Sequence, residues 1–516
     1  MSFGITPRST PPRSTLGLAA LLFCLLFCAA GCQLYQPEPL DAPQHEAEWR
    51  RRSNEEDLRE LARNISPPAL SSAPAPGGID LATGEALALW FNPALRSAAA
   101  YTSISAVEAE GAGQWDDPVL SGDVLRLVEH VDDRWSMGGT LGLRLPINGR
   151  LGVQRDGAEA RARTETFRFA VLAATTRAQL RSTWVEWSAA DRQAQLLEEL
   201  LMRIGEILRI VERLEQAGSI SRLEARLFQL ERATRTSDLL LVRGRAEEKR
   251  QTALALLGLR PECTLELAPT VALAAPILPA DPFTWLWDHS PVLAAERAAY
   301  EASEQELRLE IRRQYPDLEL GPAFEREEGV DGFGLGFSLP IPLWNRNAPA
   351  IAVARARRAA ARVAFEAEHE RLLGEVHRAR AQHAAAQASR LQIEQALLPL
   401  AEAQLDDVRR RTELGELDTL LTLESVVRAH EVRVRWLEAS VAESLAASRL
   451  QELLDSPATP GTSYSATLVP SPIGRATSGD PELPSATPAA PPKLAPASQD
   501  SPHPSPQEGS ENERDS

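Results

Sequence analysis

A stretch near the start of the chain reads Asn92-Pro93-Ala94-Leu95-Arg96-Ser97-Ala98, and about 198 residues later comes Ser290-Pro291-Val292-Leu293-Ala294-Ala295-Glu296. Each opens a helical pattern. Asn148 closes a run of alternating apolar residues, and Asn345 closes another. The helix breakers Gly218 and Gly415 recur as well, each followed within three residues by an N-cap type residue, Ser221 or Asp418. These later partners are both about 197 residues apart, so the register survives across the whole body. The body is a duplication, and one half constrains the other.

Each half changes its hydrophobic period. In the first, Leu141, Leu143, Leu145 and Ile147 alternate with Gly142, Arg144 and Pro146. In the second, Phe333, Leu335, Phe337, Leu339, Ile341 and Leu343 alternate with Gly334, Gly336, Ser338, Pro340 and Pro342. Alternation of this kind predicts strands with one apolar face and one small or polar face. A preceding strand is expected around Leu318, Leu320 and Phe324, with Glu319 and Glu325 opposite, and a weaker counterpart from Leu120 to Val128. Segments of about ten alternating residues suit a tilted strand crossing a bilayer, and equally a soluble hairpin.

The helices weigh on that choice. Asn148 to Gly218 and Asn345 to Gly415 are matched runs of about 70 residues, which at ~1.5 Å per residue is roughly 100 Å of helix. The first run has no Pro. The second has Pro349 near its start, where Pro is tolerated, and Pro399 well inside, where a kink or local break is expected. Leu200, Ile204, Ile207, Val211 and Leu214 step by four and three, the seam of a left-handed coiled coil, and Ile393, Leu397 and Leu400 repeat the spacing. The Ala-rich run from Ala350 to Ala364 suits close helix approach. Four strands cannot close a barrel, and open strand edges are not tolerated in lipid. If the strands enter a membrane, the chain must oligomerise; three copies supply twelve strands.

Bulk properties agree with long packed helices. Aromatic residues make up only 5% of the 516, and the net charge of -17 argues against nucleic acid as the main partner. The N-terminus reads as an export signal, with Arg8 and Arg13 before an apolar stretch from about Leu16 to Ala30 that is too short to span a membrane. It ends in Ala29-Ala30-Gly31-Cys32, which resembles a bacterial lipobox, although Ala29 stands where Leu is usual. That resemblance implies acylation at Cys32 and, with Gln33 following, delivery to the outer membrane. An acyl chain anchors by about 0.8 kcal/mol per buried methylene. Cys24 and Cys28 leave with the signal, so Cys263 stays alone and no disulfide forms within one chain. From about Gln36 to Gly78 the chain is Pro-rich and reads as a tether, with a charged insert, Glu46 to Arg63, that suits a short surface helix. The segment from about Ser456 to Ser516 lacks apolar periodicity and reads as a disordered tail.

The order helix, two strands, long helix, Gly turn, shorter helix, made twice over residues 80 to 455, resembles the outer-membrane efflux proteins, the TolC-like channel-tunnels. The most specific piece is Ser338-Leu339-Pro340-Ile341-Pro342-Leu343-Trp344-Asn345-Arg346-Asn347, whose wording is closest to the lipoprotein branch that serves heavy-metal export. The resemblance implies a mainly α fold with a small transmembrane β-barrel portion, twelve-stranded once a homotrimer forms. It also implies a periplasmic adaptor and an inner-membrane pump as partners. The expected division is a signal over 1–31, a lipid-anchored tether over 32–78, repeats over 79–260 and 281–455 joined by a linker over 261–280, and the tail over 456–516.

The same resemblance places adaptor-docking tips at Gly218, Ser219 and Ile220 and at Gly415, Glu416 and Leu417. Where the family carries an acidic pair at the entrance, this chain has Leu421 and Glu424, with Glu224 as the repeat partner of Leu421. Three copies of Glu424 would favour cations, and Glu224 could pair with a basic residue to hold the entrance shut. Solvated helix residues are the ordinary alternative for both. No catalytic residue, cofactor or metal site is expected: His377 and His383 are six apart, where a helical metal site needs three or four, and there is no nucleotide-binding loop or nucleophile elbow. A lipid-anchored coiled-coil adaptor without a pore is the main competing reading, and it gives no reason for duplicating the strand pair. An outer-membrane factor for peptide or protein secretion shares every feature, so the cargo stays open among metal, drug and protein.

Overall fold

The computed structural model describes residues 35–54, 58, 78–128, 133–327, 330–414 and 418–455. Cys32, the second tip (Gly415, Glu416 and Leu417) and the tail from 456 onward lie outside the described residues. A short α1 (Ala42–Arg52) precedes the first half, which runs α2 (Leu81–Phe91), α3 (Pro93–Gly111), β1 (Val119–Val128), β2 (Asp133–Leu145), α4 (Arg150–Gln216) and α5 (Arg222–Leu256). The second half repeats the order as α6 (Pro282–His289), α7 (Pro291–Arg312), β3 (Leu318–Glu327), β4 (Val330–Ser338), α8 (Ala348–Gln392), a π turn (Ile393–Leu397), α9 (Leu398–Glu413) and α10 (Thr419–Leu453).

Local chemistry starts and stops these elements at matching places. Asn92 caps α3 by accepting from the backbone N–H groups of Ala94 and Leu95, and Ser290 caps α7 by accepting from that of Leu293. Both long helices begin after a left-handed residue, Gly149 or Asn347, about 198 positions apart. The short α2 and α6 are also paired, capped by Asp80 and Asp281. The hairpin register keeps the same offset: Val124 faces Met137 in one hairpin, and Pro322 faces Leu335 in the other.

α4 is one uninterrupted helix of 67 residues. Its counterpart contains a π turn of five residues in place of the expected break. Pro399 lies two residues beyond its end, and its missing N–H would have bonded the carbonyl of Gln395; a turn widened by one residue relieves both that loss and the ring clash. The wider turn also shifts the phase of the helix. The seam read through Ile393, Leu397 and Leu400 is therefore not a buried face: Leu397 is 40% and Leu400 69% exposed, while Ala401, Leu405 and Val408 are buried instead.

One further expectation is corrected. The alternation through Leu343 does not continue as strand, because β4 stops at Ser338 and Pro340 and Pro342 have no N–H to give a ladder. In the Ala-rich run, Ala354 is buried against the fold, but Ala352, Ala356, Ala359, Ala360 and Ala364 face outward. The helix in the charged insert begins at Ala42, capped by Asp41, and ends at Arg52.

The helices form a layer. α5 packs on α4, α4 on α10, and α10 on α8 and α9; α7 sits between α4 and α8, whereas α3 lies on α4 and the short α2. The seam of α4 is packed as its spacing indicates, with Leu200, Ile204 and Val211 buried. Glu375 of α8 accepts from both Arg371 and Arg449, the latter from α10, and Arg390 pairs with Glu443.

The largest core gathers around Trp184 of α4, with Leu87, Leu180, Leu254, Leu257 and Leu265 fully buried beside it. Each such leucine contributes roughly 1.5–3 kcal/mol. The Trp184 indole N–H donates to the carbonyl of Ala268, 2.9 Å away, and Thr270 N–H donates to Ser188 Oγ. The linker continues to α10, where Leu273 N–H donates to Ser444 Oγ. Part of the stretch read as a tether also packs here. Trp49 Nε1 donates to the carbonyl of Gly258 at 3.0 Å, Ser53 Oγ accepts from the N–H of Arg260, and Leu58 is buried in the same core. Cys263 lies buried among these groups with its thiol 3.6 Å from the Ser53 carbonyl, a packing role.

Candidate functional site

Among the described residues no helix is long and apolar enough to cross a membrane. The four antiparallel strands of the sheet lie in chain order, β1-β2-β3-β4, which leaves β1 and β4 as open edges. The register sorts the side chains onto two faces of different chemistry. One face carries Leu120 and Val124 of β1, Leu141 and Leu143 of β2, Leu320 and Phe324 of β3, and Phe333, Leu335 and Phe337 of β4. The other carries Ser121 and Asp123, then Gly138, Thr140 and Arg144, then Glu319, Gly321, Ala323 and Glu325, then Gly332, Gly334 and Gly336. Among the described residues no helix covers the apolar face. Phe333, Leu335 and Phe337 are 84%, 75% and 78% exposed, an arrangement that water disfavours and that lipid satisfies.

The Gly-rich face is set by backbone as well as by polarity. A Cβ on Gly321 would lie 2.2 Å from the carbonyl oxygen of Leu141, and one on Gly138 would meet the Asp123 carboxylate at 2.5 Å. Where the sheet meets the helices, a charged network fixes the join. Arg150 at the start of α4 reaches Asp317 at 3.1 Å and Asp116 at 2.7 Å, and Arg144 reaches Glu319 at 2.8 Å. Asn148, which is buried, donates to the carbonyl of Tyr315. Sequence reading missed this network because its members come from distant segments; only the clustering of Asp317 and Glu319 beside a strand start hinted at it.

At the other end of the long helices, the first tip is a tight Gly turn. Gly218 has a φ of +71°, Ser219 N–H donates to the carbonyl of Leu214 at 2.8 Å, and Ser221 caps α5 through the N–H of Glu224. Ser219 is exposed and Ile220 is half-buried. Ile220 and Leu423 both pack on the cluster of Leu208, Val211, Ala225 and Phe228, so the start of α10 lies beside the first tip. Glu224 and Leu421 are half-buried and Glu424 is exposed. Neither glutamate makes an ion pair among the described residues.

Deeper in this layer, burial pushes the imidazole of His430 below its ordinary value, and the nearby charge of Arg235 adds to the effect. The neutral ring is therefore the form that packs. Folding then excludes a proton that the unfolded chain binds, so stability should fall as pH drops below about 6.5 and continue to fall towards the lowered folded value. A His430→Leu variant should show a flatter dependence of Tm between pH 7 and 5, measured by circular dichroism. No three His, Cys, Asp or Glu side chains converge among the described residues.

Known structures of outer-membrane channels share this fold. CusC, a transmembrane channel, is 18% identical and superposes with a TM-score of 0.63, covering 74% of this chain and 95% of its own. The outer membrane protein VceC of Vibrio cholerae gives 17% and 0.61, covering 72% and 96%. The MtrE outer membrane channel of Neisseria gonorrhoeae gives 17% and 0.62, covering 73% and 89%. No curated protein is matched by sequence. Residues 286–454 match the family model described as outer membrane efflux protein. The second half thus resembles that family in sequence, and the chain has the TolC-like fold.

Proposed function

We propose that the protein is the outer-membrane duct of an export assembly, closed by three copies and catalysing no reaction. One observation carries this reading: both layers of the fold are open, and each ends on a first-half element at one edge and a second-half element at the other. The sheet ends on β1 and β4, and the helix layer ends on α3 and α5 at one side and on α8 and α9 at the other. Such edges join head to tail, and a head-to-tail contact that rotates by a third of a turn closes a ring of three. Twelve strands then have no free edge, which is what lipid demands. Exposed leucines on the outer helices, Leu223, Leu227 and Leu230 of α5 at spacings of four and three, are the seam that such closure would cover.

In this reading the apolar face of the sheet meets lipid and the Gly-rich face lines the bore. The tips at Gly218 to Ile220 and Gly415 to Leu417 dock a periplasmic adaptor, which links the duct to an inner-membrane pump that supplies the energy. Acylation of Cys32 holds each copy at the outer membrane. The segment from Ser338 to Asn347 favours metal-cation cargo, and Glu424 is the residue placed to favour cations at the entrance.

Purified protein in planar bilayers is expected to give stable ion-conducting channels. A verified trimer without conductance would instead support a pore-free, lipid-anchored adaptor. Glu424→Ala should lower the preference for cations over anions by about two-fold or more, through loss of three charges at one level. Unchanged reversal potentials in a salt gradient would remove Glu424 from the entrance.

A further inference from the structure

At the helix end of the sheet, three amphipathic aromatic residues stand exposed: Trp115 shortly before β1, Tyr315 shortly before β3 and Trp344 beyond β4. The register puts them at one end, because β1 and β3 start there and β2 and β4 finish there. The strands have 9 to 13 residues, which at ~3.3 Å each and a tilt of about 45° rise roughly 21–30 Å, bracketing the apolar band of about 25 Å that a membrane strand presents. With the apolar face of the sheet in lipid, the residues just past its helix end stand at headgroup level, where Trp and Tyr collect. Beyond β4 the exposed side chains of Leu339, Ile341 and Leu343 lead to Trp344, which is 95% exposed.

The arginines at this level divide into two groups. Arg144, Arg150 and Arg313 each hold a carboxylate, those of Glu319, Asp317 and Glu310. Arg312, in the last turn of α7, and Arg346, shortly before α8, are exposed and make no ion pair among the described residues. One contact brings their backbones together: the Asn347 side chain donates to the carbonyl and to the carboxylate of Glu310, at 2.8 and 2.7 Å. The residue after Arg346 is thus pinned to the last turn of α7. Backbone does not account for the choice of Arg346. Its φ is +46°, a left-handed conformation that arginine seldom takes, and the corresponding turn of the first half uses Gly149.

We propose that Arg312 and Arg346 hold the phosphate of an anionic phospholipid in the leaflet nearest the helices, with Trp344 and Tyr315 at the headgroup boundary and the acyl chains along Leu339, Ile341 and Leu343. The inference rests on the reading that the sheet faces lipid and adds a headgroup to it. Two guanidinium groups present forked donors to one phosphodiester, a charge-assisted contact that a zwitterionic headgroup weakens with its own ammonium. The apolar side chains beside the two cations favour a phosphate that carries acyl chains over a free one.

The test is titration of the full-length protein in detergent with phosphatidylglycerol, phosphatidylcholine and inorganic phosphate, read as bound adducts by native mass spectrometry. Phosphatidylglycerol should bind roughly ten-fold more tightly than phosphatidylcholine, and inorganic phosphate should not displace it. Arg312→Gln combined with Arg346→Gln should bring the two lipids level. Arg226→Gln combined with Arg232→Gln, which removes two exposed charges from α5, should leave the preference intact. Arg346→Gly should weaken the preference without lowering Tm in lipid-free detergent, since glycine takes the turn unstrained. Equal binding of both lipids by the unaltered protein, a preference that survives in the double variant, or displacement by inorganic phosphate would each overturn the proposal. A lower Tm for Arg346→Gly would do so too, by giving the arginine a structural role. If the double variant loses trimers that the unaltered protein forms, the two arginines serve contact between copies instead. Insertion into phosphatidylcholine vesicles separates this site from the reading beneath it: no insertion of the unaltered protein sinks the lipid-facing sheet, whereas insertion without headgroup preference sinks the phosphate site alone.

Discussion

Replacing Gly258 by Ala should destabilise the first half by about 3 kcal/mol or more, against about 1 kcal/mol for Gly218→Ala. Both glycines sit just past a helix end with a φ of +71°, so both pay the same left-handed strain when given a side chain. They differ in what surrounds them. At Gly218 a Cβ would meet nothing within 4 Å, whereas at Gly258 it would lie 2.0 Å from the carbonyl oxygen of Phe91. That oxygen cannot retreat cheaply, because Asn92 immediately follows it, and the Asn92 side chain both caps α3 and donates to the carbonyl of Leu256 at 2.8 Å. The Gly258 carbonyl also accepts from Trp49, so movement there loosens α1. Thermal unfolding followed by circular dichroism compares the two variants. Equal losses of Tm would show that the close approach at Gly258 has slack that the distances do not suggest.

Leu335→Arg is expected to block insertion into lipid, while Gly334→Arg is tolerated far better. The two positions are adjacent and equally open in one chain, so exposure alone predicts no difference. The register separates them: Leu335 faces outward with Phe333, Phe337 and Pro322, and Gly334 points to the Gly-rich face opposite Ala323. An arginine in the lipid-facing band of a barrel costs about 2–4 kcal/mol near the midplane, and three copies multiply the cost, whereas a bore filled with water solvates the charge. The measurement is the fraction of protein that folds into vesicles and resists protease. Equal insertion of both variants would mean that the apolar face meets protein or water, which would favour a soluble hairpin.

The duplication, the long helices and the strand pairs were legible because each is written in periodicity, and the doubled sequence allowed the clean half to interpret the noisy one. Phe333 to Phe337 made the later hairpin plain, and its offset located β1, whose own alternation is weak. Caps were legible too, since Asn92, Ser221 and Asp418 announce helix starts by chemistry. Three things were not. The π turn leaves no signature except Pro399, and a single-residue change of phase misassigned the face of Leu397 and Leu400. The network of Arg150, Asp116, Asp317 and Glu319 joins segments far apart in the chain, so no local pattern reports it. The Ala-rich run was read as suited to close helix approach, and composition tells neither which of its faces is approached nor by which molecule.

Glu224 and Glu424 illustrate the limit for function. Their positions relative to Ser221 and Asp418 were readable, and the structure places both beside helix starts that share one apolar cluster, through Ala225 and Leu423. Charge at an entrance would acquire meaning only from a ring around it, and in the proposed trimer three chains would form that ring together.

The π turn has a consequence for symmetry. Two near-equal halves in three copies would give a wall that repeats six times around its axis, every long helix presenting the same face at the same height. A turn widened by one residue shifts the face of α9 from the one an uninterrupted α-helix would present, so in such a wall the sixfold likeness would end at that level. In the proposed trimer, alternate hairpins below that level would differ and the opening would repeat only three times. A partner that docks there would meet two kinds of groove in alternation, and six identical adaptor segments would have to settle into two classes of position.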